Sequence, residues 1–221
     1  MISSLRRAVL IVLLAALALS HNSCAVIAWL AAQFSPPEKV APEYQPARGK
    51  TILVFVDDVL NPVSYEPIKI ELANLVGEHL LAAKVAGKTI PYSRLADLIA
   101  STPKFNLLAV SEVGQRLGAD IVLYVQIDEF ALRDRSARQL WRGKLRTTVR
   151  LVDVEAGRLW PTDRPAGHVL PAVETPTTVE TSSTQADEIT RSLAGQMSDQ
   201  IAKLFYEHKR PRRPDWSPQD Q

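Results

Sequence analysis

The sequence predicts a single α/β domain in which helices pack on a mixed β-sheet, placed after an N-terminal hydrophobic anchor. Two segments carry this prediction. Residues 51–57 are apolar on both faces, which is typical of a central strand in a covered sheet. Residues 141–154 alternate between apolar and charged side chains, which indicates antiparallel pairing with one face in water. A domain that contains both kinds of strand needs a mixed sheet.

The elements of the first half follow from periodicity and capping residues. Helical spacing predicts a helix over 68–84, and 88–92 is expected to form a short strand. Ser93 is expected to cap the helix that follows. A second short helix, over 108–117, leads into a strand over 120–130. The buried stripe of the first helix is predicted to be Ile68, Leu72, Leu75, Val76, Leu80 and Ala83.

The second half is predicted to be mostly strand, closed by a helix. Residues 133–139 are polar and are expected to form a long hairpin loop. Residues 167–181 are rich in Val and Thr, and their two prolines restrict the strand that they form to a sheet edge. Thr184 and Asp187 match a capping box for a final helix that runs to about Tyr206.

The first 34 residues have the layout of a bacterial export signal. Arg6 and Arg7 precede an apolar run over 8–20, and Cys24, the only cysteine, follows a short polar break. A cysteine in this place resembles the acylated cysteine of bacterial lipoproteins, which implies lipidation at Cys24. Two alternatives stay open: residues 8–34 cross the membrane as one uncleaved helix, or cleavage releases a soluble protein. With either anchor, the domain lies outside the cytoplasm, on the periplasmic side of a membrane.

Composition and proline content divide the chain into four predicted segments. A signal peptide or anchor covers 1–24, an apolar and then Pro-rich linker 25–50, the α/β domain 51–207, and a disordered basic tail 208–221. Of the 221 residues, 46% are hydrophobic and 23% charged, as in ordinary globular proteins. The net charge of +2 is too small to indicate a nucleic-acid partner.

Two segments resemble a known family. Val113 to Ile127 has the sequence Val-Gly-Gln-Arg-Leu-Gly-Ala-Asp-Ile-Val-Leu-Tyr-Val-Gln-Ile, and Val149 to Trp160 has Val-Arg-Leu-Val-Asp-Val-Glu-Ala-Gly-Arg-Leu-Trp. They resemble the helix–Gly-Ala-Asp–strand passage and the glycine hairpin of exported lipoproteins with a TolB amino-terminal-like domain. That group includes CsgG-like proteins and the lipoprotein activators of penicillin-binding proteins. The resemblance covers about residues 51–207 and implies a scaffold, adaptor or pore-ring role rather than a shared chemistry.

Both motifs also have an architectural explanation that needs no family. Gly118 is expected to end a helix in the left-handed conformation, Ala119 to let the chain turn closely, and Asp120 to accept hydrogen bonds from turn amides. Asp153 and Gly157 are expected to bracket a hairpin, with a positive φ at Gly157. All five are therefore predicted as structural turn residues.

Two adjacent acids are the main candidates for chemistry. Asp57 and Asp58 end the first predicted strand, and loops at the carboxyl ends of central strands often hold ligands, including divalent cations. They carry the alternative function, an envelope enzyme or a protein that binds a metal or a small ligand. The histidines His79, His168 and His208 lack the spacing of metal ligands, and no Gly-rich phosphate loop is present. No catalytic residue, metal site or cofactor is predicted.

The wet face of residues 141–154 is basic and is a candidate partner surface. Its charged residues are Arg142, Lys144, Arg146 and Arg150. The sequence thus predicts a non-enzymatic, membrane-anchored cell-envelope protein. It would act as an assembly, secretion or regulatory accessory factor through contacts with an envelope protein or with further copies of itself.

Overall fold

The computed structural model describes residues 38–59, 62–63, 65–133, 140–179 and 184–210. The helices are α1 (Pro67–Ala82), α2 (Tyr92–Ser101), α3 (Val110–Leu117) and α4 (Gln185–Lys203), with a 3₁₀ turn at Phe105–Leu107. The strands are β1 (Glu38–Val40), β2 (Thr51–Asp57), β3 (Lys88–Ile90), β4 (Ile121–Arg133), β5 (Leu140–Asp153), β6 (Gly157–Trp160), β7 (His168–Val169), β8 (Val173–Glu174), β9 (Thr178–Val179) and β10 (His208–Arg210). None of the helices in these ranges is long and apolar enough to cross a membrane. The hydrophobic N-terminal segment and Cys24 lie outside the described residues.

The chain separates into two compact units. One comprises residues 41–207 and contains the main sheet. In the described part of the other unit, β1 and β10 pair antiparallel, with Lys39 opposite Lys209. The sequence predicts that 208–210 belong to a disordered tail and 38–40 to an extended Pro-rich linker, whereas in the structure the two segments form a strand pair. Each segment is too short and too polar to show a strand pattern in the sequence.

The main sheet is mixed, as the sequence predicts. Its strands lie in the order β3-β2-β4-β5-β6, and β7, β8 and β9 also pair with β5. The pairs β2–β3 and β2–β4 are parallel, whereas β4–β5 and all further pairs of β5 are antiparallel. β2 and β4 are the central parallel strands, and their apolar stretches, residues 52–56 and 121–125, are buried because both faces of the sheet are covered there.

Helices cover both faces of this sheet. On one face, Gly143 of β5 lies so close to α4 that an added Cβ would be 2.4 Å from the Cγ2 atom of Ile189. α1 packs beside α4 in the same layer. On the other face, an added Cβ on Gly114 of α3 would be 2.5 Å from the Cγ2 atom of Val122 in β4. The buried core thus has two layers, one between each face of the β-sheet and the helices that cover it.

Several boundary and capping predictions are wrong for local reasons. α1 ends at Ala82 because Lys84 takes a left-handed conformation with φ +57°. α2 begins at Tyr92, with Pro91 as its extended N-cap, so Ser93 lies inside the helix and does not cap it. The hydroxyl of Thr184 donates to the Glu188 side chain at 2.9 Å and caps no backbone amide, so the predicted capping box does not form.

The basic wet face and the edge strand also differ in detail. By the alternation of residues 141–154, Thr148 belongs to the same wet face as Arg146 and Arg150, but it is buried because the chain at Gly167 lies over it. Residues 167–181 were expected to supply one edge strand. Their described part instead forms three two-residue strands, all paired with β5. The polar loop at 134–139 lies outside the described residues.

Candidate functional site

Asp57, the first of the two candidate acids, ends β2 and uses both carboxylate oxygens in internal hydrogen bonds. Its Oδ1 atom accepts from the backbone N–H of Asp58 at 2.8 Å and of Val59 at 3.2 Å. Its Oδ2 atom accepts from the hydroxyl of Tyr124 on the neighbouring strand β4. This carboxylate therefore shapes the loop after β2 and fastens it to the sheet.

Asp58, the second acid, belongs to a half-buried ion cluster with α1. Its Oδ1 atom lies 3.1 Å from the Nζ atom of Lys69, and its Oδ2 atom accepts from the N–H of Val63 at 2.8 Å. Lys69 also lies 2.9 Å from Glu66, and the side chains of Asp58 and Lys69 are only 18% and 15% exposed. Burial alone would lower the pKa of Lys69, but its hydrogen bonds to Glu66 and Asp58 outweigh burial and raise it. The lysine stays charged and offsets one of the two carboxylate charges of the cluster.

Tyr124 connects Asp57 on β2 with Arg150 on β5. Nothing in the sequence distinguishes this tyrosine from the other residues of its apolar strand. Its ring contacts the edge of Phe55 at 5.3 Å between centroids. The guanidinium of Arg150 lies 4.6 Å from the centre of the same ring, a cation–π distance. Burial raises the pKa of Tyr124 strongly, and the hydrogen bond to Asp57 adds to the shift. The phenol is therefore a fixed hydrogen-bond donor. Arg150 lies in β5, where it faces this ring.

The other three residues of the predicted basic surface pair with acids on both sides of β5. Arg142 lies 2.5 Å from Glu174 on β8. Lys144 and Arg146 lie 3.2 Å and 3.7 Å from Glu129 on β4. The surface is thus a ladder of alternating charges across three strands rather than a bare basic patch. Exposed pairs of this kind contribute only about 0–1 kcal/mol each, so they mainly set the local charge pattern.

The first group of predicted turn residues connects α3 to β4. Gly118 has φ +74° and ends α3 in the left-handed conformation, and Ala119 behind it is buried. The Oδ2 atom of Asp120 accepts from the N–H of Thr51 at 2.7 Å, so this side chain binds the start of β2 rather than its own turn.

The second group forms the β5–β6 hairpin. The Oδ1 atom of Asp153 accepts from the N–H groups of Glu155 and Ala156, both at 2.9 Å. These hydrogen bonds lower the pKa of Asp153. Gly157 follows with φ +85°, a conformation that favours glycine. Both ends of the turn are thus fixed by the residues that the sequence singles out.

The three histidines belong to three different elements. His79 is half-buried in α1 and His208 lies in β10. The ring of His168 stacks on Trp160 at 5.0 Å, and burial, followed by the charge of Arg164, lowers its pKa. Within the described ranges, no group of three or more His, Cys, Asp or Glu side chains is arranged to hold a metal ion.

An open sheet edge adjoins the charge ladder. Strand β2 ends at Asp57, which pairs with Gln126, but β4 continues to Arg133. In the part of the chain that the structure describes, no strand pairs with residues 127–133 on the side away from β5. Two apolar side chains in this stretch, Phe130 and Leu132, are half-buried against the core. The length mismatch between the two strands could not be read from the sequence.

A cleft of about 450 Å³ lies at the opposite, amino-terminal end of β2. Pro46 and Phe205 supply buried apolar lining, and Arg48 and Lys84 lie on its rim. Its size is within the range of small-molecule sites. The sequence analysis missed this cleft because its residues come from the predicted linker, a turn and the end of α4.

Comparisons with known proteins give distant structural similarity and no family. No family model matches the chain, and no curated protein does. A PelC dodecamer from Paraburkholderia phytofirmans is 14% identical, covers 78% of this chain and 99% of its own, and has a TM-score of 0.42. The lipoprotein GNA1162 from Neisseria meningitidis is 14% identical, covers 68% of this chain and 99% of its own, and has a TM-score of 0.38. TolB from Acinetobacter baumannii is 12% identical, covers 76% of this chain and 31% of its own, and has a TM-score of 0.30. At these scores, the TolB-like resemblance stays a prediction, and nothing known of these proteins is transferred to this chain.

Proposed function

We propose that this chain is an exported, membrane-anchored accessory protein of the cell envelope that acts through protein contacts at the open edge of β4. The N-terminal pattern supports export and anchoring at Cys24. The single observation that carries the contact surface is the stretch Glu129–Arg133, which extends past the end of β2. A strand that extends past its neighbour in a sheet offers an edge along which an incoming strand can add.

The contacts of the two candidate acids favour this proposal over the enzymatic alternative. The oxygens of Asp57 accept from two backbone amides and from Tyr124, and those of Asp58 are used by Val63 and Lys69. A general base or a cation ligand needs a lone pair directed at its substrate or metal. Here all four carboxylate oxygens already accept hydrogen bonds from the protein.

The contact proposal is tested with a photo-crosslinking amino acid placed at Ala131 in the full-length chain, in cells. The matched control places it at Leu81, which is 40% exposed on α1. We expect a crosslinked protein adduct from position 131 and none from position 81. Absence of any adduct at position 131, with the protein present in membranes, would contradict the proposal.

A second experiment separates this proposal from the enzymatic alternative. Asp57→Asn and Asp58→Asn are expected to leave the crosslink from position 131 in place, provided that thermal unfolding shows both variants folded. The enzymatic alternative is favoured if a folded variant keeps the crosslink and its cells nevertheless behave like cells from which the chain has been deleted. Mass spectrometry of the mature amino terminus checks the anchor: acylated Cys24 supports it, and a different, unmodified first residue rejects lipidation.

A further inference from the structure

The cleft at the amino-terminal end of β2 is lined by charges of one sign. Its lining contains two cationic side chains, Arg48 and Lys84, and no acidic one. In the ranges that the structure describes, neither cation has a carboxylate within ion-pair distance. The neighbouring Lys50 differs, because its Nζ atom lies 3.7 Å from the carboxylate of Asp120. The cleft therefore keeps two positive charges that the described acids of the chain do not offset.

Lys84 reaches this cleft through a backbone conformation that favours glycine. It directly follows Ala83, the C-cap of α1, and has φ +57°. Glycine is usual at this position of a helix end, because a side chain strains the left-handed backbone. The turn itself is closed by backbone hydrogen bonds, from the N–H of Lys84 to Leu81 at 3.0 Å and from the N–H of Val85 to Leu80 at 2.9 Å. The fold alone would thus favour glycine here, and what lysine adds is an ammonium group at the cleft.

Two glycines bring the two cations to one cleft. An added Cβ on Gly87 would lie 2.6 Å from the carbonyl oxygen of Gly49, so the turn after α1 and the turn before β2 are in backbone contact. The N–H of Gly87 donates to the carbonyl oxygen of Lys50 at 2.9 Å and fixes this contact. Arg48 directly precedes Gly49, and Lys84 lies three positions before Gly87. Backbone packing therefore places a guanidinium and an ammonium group on the same rim.

We propose that this cleft binds a phosphate ester of a small apolar group, between Arg48 and Lys84. A phosphate monoester carries about −1.5 to −2 charges at neutral pH, which two cations match. A guanidinium offers two parallel donors to phosphate oxygens, and an ammonium adds a compact point charge. Pro46 and Phe205 are buried in the lining and supply an apolar surface for the hydrocarbon of the ester. The site lies at the other end of β2 from Asp57, so it is separate from the open edge of β4.

Calorimetric titration with hexyl phosphate tests the site in the full-length chain, held in phosphatidylcholine nanodiscs. The wild type is expected to bind hexyl phosphate saturably and inorganic phosphate more weakly, because inorganic phosphate lacks the hydrocarbon. Arg48→Gln and Lys84→Gly each remove one cation and are expected to weaken hexyl phosphate binding by about tenfold or more. Lys84→Gly is also expected to unfold at a higher urea concentration than the wild type, since it relieves the left-handed side chain. A loss of binding in this variant then does not arise from a loss of folding.

Lys104→Gly is the matched control. Lys104 also has a positive φ, +58°, and does not line the cleft. The same loss of charge and the same relief of the backbone are expected to leave hexyl phosphate binding unchanged there.

Two sources share the proposed chemistry, a phosphatidate headgroup of the membrane and a soluble phosphate ester. Phosphatidic acid added to the nanodiscs distinguishes them: competition with hexyl phosphate identifies the lipid headgroup, and binding without competition identifies a soluble ester. Three results would each overturn the proposal. They are no saturable binding by the wild type, an affinity for inorganic phosphate as high as that for hexyl phosphate, and wild-type binding by Arg48→Gln and Lys84→Gly.

Discussion

The substitution Gly→Ala is predicted to have opposite effects on stability at two helical glycines, Gly114 and Gly195. An added Cβ on Gly114 of α3 would lie 2.5 Å from the Cγ2 atom of Val122 and 2.8 Å from that of Val154. An added Cβ on Gly195 of α4 would meet nothing within 4 Å. In a helix interior, Gly→Ala alone stabilises by about 1 kcal/mol. Overpacking a buried contact costs about 1–3 kcal/mol, and here the methyl groups belong to stiff, β-branched side chains.

The overpacking cost exceeds the helical gain at Gly114, whereas only the gain applies at Gly195. We expect Gly114→Ala to lower the free energy of unfolding by about 1 kcal/mol and Gly195→Ala to raise it by about 0.5–1 kcal/mol. Urea unfolding of the full-length chain, followed by far-ultraviolet circular dichroism, measures both against the wild type. The reasoning fails if Gly114→Ala has the wild-type midpoint or a higher one while Gly195→Ala is stabilised.

Three further predictions concern ionisable groups. Burial and the charge of Arg164 lower the pKa of His168 from 6.5. Its contribution to stability is therefore present above pH 6.5 and is lost as the pH falls from 6.5 through the lowered pKa of the folded state; in His168→Gln this part of the pH dependence should vanish from thermal unfolding curves. The lowered pKa of Asp153 gives stability that is lost as the pH falls below about 3.8. Because Asp153→Ala removes the acceptor of two turn amides, urea titrations at pH 7 are expected to show a loss of about 0.5–1.5 kcal/mol in the free energy of unfolding. Lys69→Met leaves Asp58 without its cation and is expected to lower the free energy of unfolding by about 1–3 kcal/mol; an unchanged urea midpoint would contradict the ion cluster.

The strands that carry the fold could be predicted because burial dictates their patterns. Residues 51–57 and the first half of 120–130 are apolar on both faces, and the structure places them at the centre of the sheet. The alternation over 141–154 likewise predicted an antiparallel strand in contact with water on one face. The predicted exposure of a single residue is wrong where a segment distant in sequence covers it. Thr148 is an example, because the chain at Gly167 that buries it is 19 positions away.

The helix caps and the candidate site were harder to predict, because they depend on which of several possible hydrogen-bond partners lies within reach of each polar side chain. The hydroxyl of Thr184 reaches the Glu188 carboxylate instead of a backbone amide, and Asp187 accepts from the hydroxyl of Tyr65, far along the chain. Asp57 lies at the end of a strand, as the sequence predicts, with Asp58 directly after it, but the donors Tyr124 and Lys69 come from other elements and are brought to these acids by packing. The relative lengths of β2 and β4, which leave the edge open, are also set by packing.

The charge pattern of the site bears on how a partner is bound. In the sequence, the acids at the end of β2 and the basic residues of β5 look like two surfaces of opposite sign. In the structure, Tyr124 joins Asp57 to Arg150, and Glu129 joins β4 to Lys144 and Arg146. Because these charges already have opposite neighbours, net charge gives little long-range attraction, in agreement with the overall value of +2. On the proposed function, recognition at this surface comes from short-range pairing along the strand edge, where register decides which charges meet.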